Sequence, residues 1–414
     1  MSKKHIETEP TAEEWVADLE YNEINKLDQR LGLTDDASRT LDPETLPYEI
    51  RQKVYHLLSE RKKAKAESDA AQDAGRSNSI KENPFYLLNV SAIDSRVHIL
   101  DQVQSRSLTI DEALCQKAAT SLTNPRTRLA AELSWFAGID PEMSEVLLSE
   151  VNSDLMLCAQ STQLGAYRLA RANIISAALE QYTPTNFLEP VFKDIIVRLC
   201  YTSPNLDADS ITKLVNRDRA KSGFALIQNT GWVEEEIENR RKHYKKTLTA
   251  CLDRMPTDMM VRLMTTLAIT QFPANESTPL FNELIDAYEL GAQNFLNKEF
   301  ENIEKLVDVM LNTINSPNGA DGLLTQLNTV LRNWIKVARP IQVNMHHRGL
   351  AHPHSERVYG KIRGLSIELC NEHSFYSLGL RVTGIMLNAF DEELSFYSKL
   401  QDDAKLIREL LEQV

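Results

Sequence analysis

Between Phe281 and Ile314 the apolar residues Phe281, Leu284, Tyr288, Ala292, Phe295, Ile303, Leu306, Met310 and Ile314 recur at the three- and four-residue steps of an α-helix. About 34 residues rising ~1.5 Å each make a rod of roughly 50 Å, and a rod with one apolar stripe needs partners along its whole length. Too few heptads repeat without interruption for a coiled-coil dimer, so an intramolecular bundle is expected. A second run behaves alike. Ile237, Arg241, Tyr244, Leu248, Cys251 and Met255 alternate four- and three-residue steps within Trp232–Met255, and Glu234, Glu235 and Glu236 stand in the first turn, where acidic groups suit the helix dipole. Between the runs, Asp258–Phe272 is apolar nearly all round and predicts a central buried helix. Its methionines read as core filler, or as an adaptable groove for a client or partner helix. Helix follows helix elsewhere too: Met143–Gln160, Leu164–Leu179 and Asn186–Cys200, with turns at Tyr182-Thr-Pro184 and Thr202-Ser-Pro204. Ser316-Pro-Asn-Gly319 is a further turn, and the stripe Leu324, Leu327, Leu331, Trp334, Ala338 is expected to stop at Pro340. Strand-like alternation is nearly absent, so the fold class is all-α.

One stretch is punctuated differently. Asn83–Gly138 opens with Asn-Pro ahead of Phe85, Leu87, Leu88 and Val90, a short helix with proline in its first turn. Asp94 stands as N-cap of a second helix carrying Val97, Leu100 and Val103. A third places Ile110, Ala113, Leu114, Ala118 and Leu122 on one face. Asn124 then caps a fourth that begins at Pro125 and carries Leu129, Leu133 and Phe136.

In that order and at those ends, NPFYLLNV and LTNPRTRL, the stretch resembles a J-domain, the helical module by which DnaJ-type co-chaperones engage Hsp70 ATPases. The resemblance covers about 55 of 414 residues. It implies a J-like three-helix module and an Hsp70-family chaperone as a protein partner. The family's His-Pro-Asp tripeptide between helices two and three is missing: Gln104-Ser-Arg-Ser-Leu108 stands there, His98 lies inside the second helix, and the only His-Pro pair, His352-Pro353, is distant and followed by His354. ATPase stimulation through that tripeptide is therefore not implied. The chain as a whole looks like a group of bacterial J-like proteins with long helical C-terminal regions. If the module binds a partner, Arg96, Arg106, Arg126 and Arg128 are the cations that would steer an acidic surface to it; the competing reading is that they only solvate the module.

The remaining organisation follows from composition and charge. With 42% apolar and 25% charged residues the chain reads as a globular protein able to bury a large core. Residues 1–46 form an acidic segment with a short amphipathic pattern at Trp15, Val16 and Leu19. Residues 47–82 hold a helix through Ile50, Val54 and Leu57, a basic run and a polar linker. The J-like module spans 83–138, a helical domain 139–345, and a C-terminal helical hairpin region 346–414. The seams of that last region are Val358, Ile362, Leu365, Leu369 and then Tyr397, Leu400, Ala404, Ile407, Leu411.

A formal charge of −13 argues against a nucleic-acid partner. The N-terminus MSKKHIETEP has no apolar signal core and no run is long enough for a bilayer, so neither export nor membrane insertion is expected, and the five separated cysteines fit a reducing cytosol. No nucleotide-binding loop, nucleophile elbow or dinucleotide fingerprint occurs, and no cofactor is expected.

Two polar clusters remain. Asn216-Arg-Asp-Arg219, followed by Gly223-Phe224, reads as ion pairs at a helix end or as an anion site. His346, His347, His352 and His354 lie within nine residues and offer transition-metal ligands, the basis of an alternative reading as a metal-dependent enzyme. Against it, Pro353 makes the segment a loop and only Glu356 is near as a base, so no metal site is assigned. The favoured reading is a non-enzymatic adaptor or co-chaperone-like protein. An oligomeric scaffold joined through the rod is the other alternative.

Overall fold

The computed structural model describes residues 79–161, 165, 167–183, 189–272, 278–313, 320–390 and 396–413. The acidic segment 1–46, the helix and most of the linker expected over 47–82, and the turn Ser316–Gly319 lie outside them. By its contacts the chain divides into residues 1–76 and a unit from 77 onward, and all described residues belong to the second.

Within it the chain is helical throughout, with no strand among the described residues. After a 3-10 turn at Ile80–Glu82 come α1 (Pro84–Leu88), α2 (Arg96–Arg106), α3 (Glu112–Thr123) and α4 (Pro125–Leu133), then α5 (Pro141–Ser153), α6 (Leu155–Gln160), α7 (Arg168–Glu180), α8 (Glu189–Thr202) and α9 (Ala208–Ser222). The larger elements follow: α10 (Gly231–Asp253), α11 (Thr257–Thr266), α12 (Pro279–Thr313), α13 (Asp321–His347), α14 (Pro353–Asn371), α15 (Tyr376–Ala389) and α16 (Phe396–Leu411). Helix α3 packs on α1 and α2, and α4 reaches α10. Helix α7 is surrounded by α6, α8 and α10; α13 lies along the α12 rod; α14, α15 and α16 pack in succession. No helix is long and apolar enough to cross a membrane among the described residues. All five cysteines are free and buried.

The long stripes hold where packing is continuous. In α10, Ile237, Tyr244, Leu248 and Cys251 are buried, as are Leu324, Leu327, Leu331, Trp334 and Ala338 in α13. In α14 the seam Val358, Ile362, Leu365, Leu369 is buried; in α16 Leu400, Ala404 and Ile407 are buried while Leu411 is exposed. The rod needs one correction. Its buried line passes through Leu296 and Phe300, and Phe295 faces outward, because the neighbouring helices meet α12 one residue round from the predicted stripe.

Three further expectations change. Helix α13 does not stop at Pro340 but runs on to His347 with the proline inside it. Proline removes the N–H that would bond four residues back and crowds that turn. Next to the break, the Tyr288 hydroxyl on α12 donates to the Val337 carbonyl at 2.9 Å, and the buried Ile341 and Val343 hold the last turns in the core. Asp258–Phe272 is not buried all round: Val261, Leu263, Met264, Leu267 and Ala268 face inward, Met259 and Met260 are half-buried and Ile269 is exposed. This helix, α11, opens into a π turn at Leu267–Gln271, where Phe272 N–H bonds the Leu267 carbonyl and the Phe272 ring stacks on Phe281. The single helix expected over Met143–Gln160 is α5 and α6, divided at Asp154, whose carboxylate accepts the Leu157 N–H and so starts a new helix.

Candidate partner-binding module and its buried anchor

The first helix of the segment 83–138 is set by Asn83. Its Oδ1 accepts the Phe85 N–H at 2.9 Å, while its Nδ2 donates to the Ala131 carbonyl (2.9 Å) and to Ser134 Oγ (3.0 Å), tying α1 to the end of α4. Asn89 ends α1 in the left-handed region at φ 53°, a conformation asparagine tolerates better than most side chains. The N-cap of α2 is Ser95, not Asp94: Ser95 Oγ accepts the His98 N–H, and Asp94 turns back to accept the Ser91 N–H at 2.6 Å. Asn124 caps α4 as its sequence predicts, with Pro125 in the first position.

The inward face of α2 also differs from the predicted stripe. Ile99 and Val103, one helical turn apart, are buried against α1 and α3, whereas Val97 and Leu100 point the other way and are 69% and 50% exposed. On α3 the buried line is Cys115, Ala118, Ala119 and Leu122, with Ala113 and Leu114 outside. The loop Ser107–Asp111 holds Leu108 at 86% exposure. The α2–α3 hairpin therefore leaves Val97, Leu100, Leu108 and Leu114 exposed among polar side chains.

The four arginines do not converge on these side chains. Arg96 is exposed at the start of α2. Arg106 is half-buried and donates through Nε to the Leu87 carbonyl at 2.9 Å. Arg126 pairs with Glu235 of α10 and lies over the Trp232 ring. Arg128 is fully buried, so as a steering cation it is a correction: no partner surface reaches it.

Arg128 is instead the centre of an anchor between the segment 83–138 and the helices that follow. Its Nε donates to Glu132 Oε1 (2.8 Å), its Nη2 to the Ala92 carbonyl (2.8 Å) and its Nη1 to the Leu122 carbonyl (3.3 Å). The guanidinium carbon lies 3.7 Å from the Phe224 ring centre and 5.4 Å from that of Phe85. The other oxygen of Glu132 accepts from Arg219 Nη2 (2.7 Å) and Nε (3.0 Å), and Arg219 also donates to the Pro125 and Ala225 carbonyls. Burial pushes the Glu132 carboxyl above its usual range, and the two guanidiniums oppose that shift; burial likewise lowers Arg128, with Glu132 opposing.

The knot Asn216–Arg219 completes the same anchor and is not an anion site. Asp218 accepts the Gly138 N–H at 2.9 Å, Arg217 donates to the Gly138 carbonyl, and the Asn216 amide makes a two-way bridge to Ile227. A second hub lies beneath. Asn173 of α7 donates to the Leu133 and Trp135 carbonyls, both at 2.9 Å, and accepts from Tyr244 Oη (2.7 Å) and Arg240 Nε (3.1 Å), so every bond its amide can make is made. The four-residue spacing of Arg128 and Glu132 is visible in the sequence; Arg219, Asp218 and Asn173 carry no local signal of their role.

The histidines separate into two pairs. His346 and His347 close α13, with His347 Nδ1 3.2 Å from the Phe272 carbonyl. His352 is buried as the N-cap of α14, its Nδ1 2.6 Å from Ser355 Oγ, which also accepts from Gln342 Nε2; its other nitrogen is 3.4 Å from Glu289, and the ring stacks on Trp334. Among the described residues no group of three or more histidine, cysteine or carboxylate side chains is placed to hold a metal ion. The cluster is a polar clasp joining α12, α13 and α14.

No family model, curated protein or solved structure matches the chain.

Proposed function

We propose that the chain is a non-enzymatic, co-chaperone-like adaptor that binds another protein through the outer face of the α2–α3 hairpin, with an Hsp70-family ATPase as the partner. The observation that carries the reading is the exposure of three apolar side chains, Val97 and Leu100 on α2 and Leu108 in the loop that follows it. Exposed apolar side chains in a group mark protein contact surfaces more often than singly scattered ones do. The partner class rests on the resemblance, which the order of α1 to α4 and the fourth helix capped by Asn124 and led by Pro125 support. Since the loop Ser107–Asp111 lacks His-Pro-Asp, the expected activity is binding without faster ATP hydrolysis.

The test uses the full chain, a purified Hsp70-family ATPase from the same organism, and a Val97→Asp/Leu100→Asp variant. Both positions are exposed, so the variant should fold as the parent does, which circular dichroism checks. Expected are micromolar binding by the parent, at least about tenfold weaker binding by the variant, and an unchanged ATPase rate. Equal binding by both proteins, or none by the parent at high micromolar concentration, would overturn the reading. Arg96→Ala should slow association and weaken its salt dependence while leaving dissociation nearly unchanged, as expected for a rim cation.

A further inference from the structure

The hydrogen-bond chain at the start of α14 can run in either direction. Gln342 Nε2 donates to Ser355 Oγ at 2.9 Å, and that oxygen lies 2.6 Å from His352 Nδ1. With the amide donating, the hydroxyl hydrogen is left for Nδ1, so a neutral imidazole carries its own proton on Nε2. Gln342, His352 and Ser355 are each more than nine-tenths buried. Trp334 stacks on the imidazole and is itself fixed by its Nε1–H on the Leu296 carbonyl at 3.2 Å, which holds the ring in place.

Two atoms of the chain are unmatched. Gln342 Oε1 is buried without a donor, and His352 Nε2 stops 3.4 Å from Glu289 Oε1 on α12, short of hydrogen-bond geometry. A second proton on His352 goes to Nδ1 and reverses the chain. Nδ1–H then donates to Ser355 Oγ, and the hydroxyl hydrogen needs a new acceptor, which Gln342 supplies when its amide turns over and brings Oε1 to the serine. The proton comes from solvent, which reaches the cluster at Glu289, whose side chain is 24% exposed. The charged ring then faces a carboxylate, which favours it. From α13 the ring meets Trp334 and Gln342, which are uncharged. Asp286, one turn before Glu289, pairs with Arg348 at the end of α13, and the one charged side chain of α15, Arg381, pairs with Asp321. On α14, Glu356 is exposed and Arg357 lies over the Phe300 ring. His354 is 5.7 Å away, ring to ring, and is held below its ordinary value by burial first and then by His352, with Glu289 opposing and Arg357 adding. A charge on His352 therefore works against one on His354.

We propose that His352, Ser355 and Gln342 form a proton-operated switch at the junction of α12, α13 and α14. With the imidazole neutral, the chain runs from Gln342 through Ser355 to His352, and Glu289 receives no hydrogen bond from the ring. With it charged, the chain runs from His352 through Ser355 to Gln342, and the ring ties the start of α14 to Glu289 of the rod. Helices α15 and α16 follow α14 in packing, so acidification tightens the hold of the C-terminal helices on α12.

The experiment follows the histidine ring nitrogens of the full chain by NMR from pH 8 to pH 5, with amide hydrogen exchange in the first turns of α14 measured on the same samples. The ring is identified as the signal missing from His352→Gln and displaced in Ser355→Ala. Glu289→Gln, altered at a partly exposed position, tests the switch. Expected at pH 8 is a proton on Nε2 alone and at pH 5 on both nitrogens, and in Glu289→Gln the doubly protonated fraction at pH 6 should be at least about threefold smaller. Protection of the amides of residues 355–358, corrected for the intrinsic pH dependence of exchange, should rise at least about threefold between pH 8 and pH 5 in the parent and stay level in the variant. A ring in one state at both pH values, a proton on Nδ1 at pH 8, equal titration in parent and variant, or protection that changes alike in both would each overturn the proposal.

Discussion

Glu132 accepts hydrogen bonds from two buried arginines, and removing it would leave both charges without a counterion. Glu132→Gln or Glu132→Ala is therefore expected to cost about 3–5 kcal/mol, read as a lower urea midpoint at an unchanged slope. Arg126→Ala, which breaks a pair whose partners are 36% and 57% exposed, should change stability by no more than about 1 kcal/mol. A second prediction concerns His243 on α10. Burial, with Arg240 and Lys246 adding to it, pushes this imidazole down to about 2 from 6.5, although Glu180 Oε1 is only 3.3 Å from its Nε2. Desolvation wins here because the contact lacks hydrogen-bond geometry and the Glu180 carboxyl is itself raised by burial. A histidine depressed in the folded state stabilises the fold above its unfolded value near 6.5, and that contribution is lost as the pH falls toward the folded value. Glu180, being raised, acts in the opposite sense, so the two are separated by substitution. Between pH 6.5 and 4.5 the parent should lose roughly 1 kcal/mol per pH unit that His243→Gln does not lose. Parallel stability curves for the two proteins would assign the acid sensitivity elsewhere.

Helix α15 lies close against α14 at Gly379. A Cβ built there would clash with Cys370 Sγ and lie 3.2 Å from the Ser366 carbonyl, while Ser366 Oγ donates to the Gly379 carbonyl at 2.9 Å. Gly379→Ala should destabilise by about 1–3 kcal/mol, and Cys370→Ala in the same chain should recover part of that loss; additive costs in the double variant would mean that sulfur is not the obstacle. The elements also show how far periodicity reads. The stripes of α10, α13 and α14 were legible because each helix is buried along one continuous seam. The face of α2 was not, since Val97, Leu100 and Val103 obey the helical period as well as Ile99 and Val103 do. Only the position of α1 and α3 chooses between the two faces. Pro340 failed as a stop for a related reason: local geometry disfavours it within a helix, but tertiary burial of the turns beyond it outweighs that preference.

At the scale of the whole molecule, the segment 83–138 shares its core with the helices behind it. Phe85, Trp135 and Phe136 stack in series, Asn173 and Arg219 bond its backbone and side chains, and all the described residues form one unit. Residues 79–138 alone should therefore lack a cooperative unfolding transition, with amide hydrogen exchange far faster than in the full chain; native-like protection in the fragment would contradict this. The rod's stripe is covered within the chain by α13 and α14, so the mass of the full chain is expected to stay monomeric as concentration rises, and a concentration-dependent mass would favour the scaffold reading. What the sequence by itself determined is local: helix for nearly every described segment, the proline-led start of α1, the Asn124 cap, and the stripes of the long helices. Those follow from neighbours three and four residues apart. Which face of α2 is free, that Arg128 is a buried anchor rather than a surface cation, and that the four histidines form separate contacts were decided by tertiary structure alone. The anchor reaches residues 36 and 87 positions distant, and burial, which sets the energy of a charge or an apolar face, is a property of contacts that helical spacing does not reach.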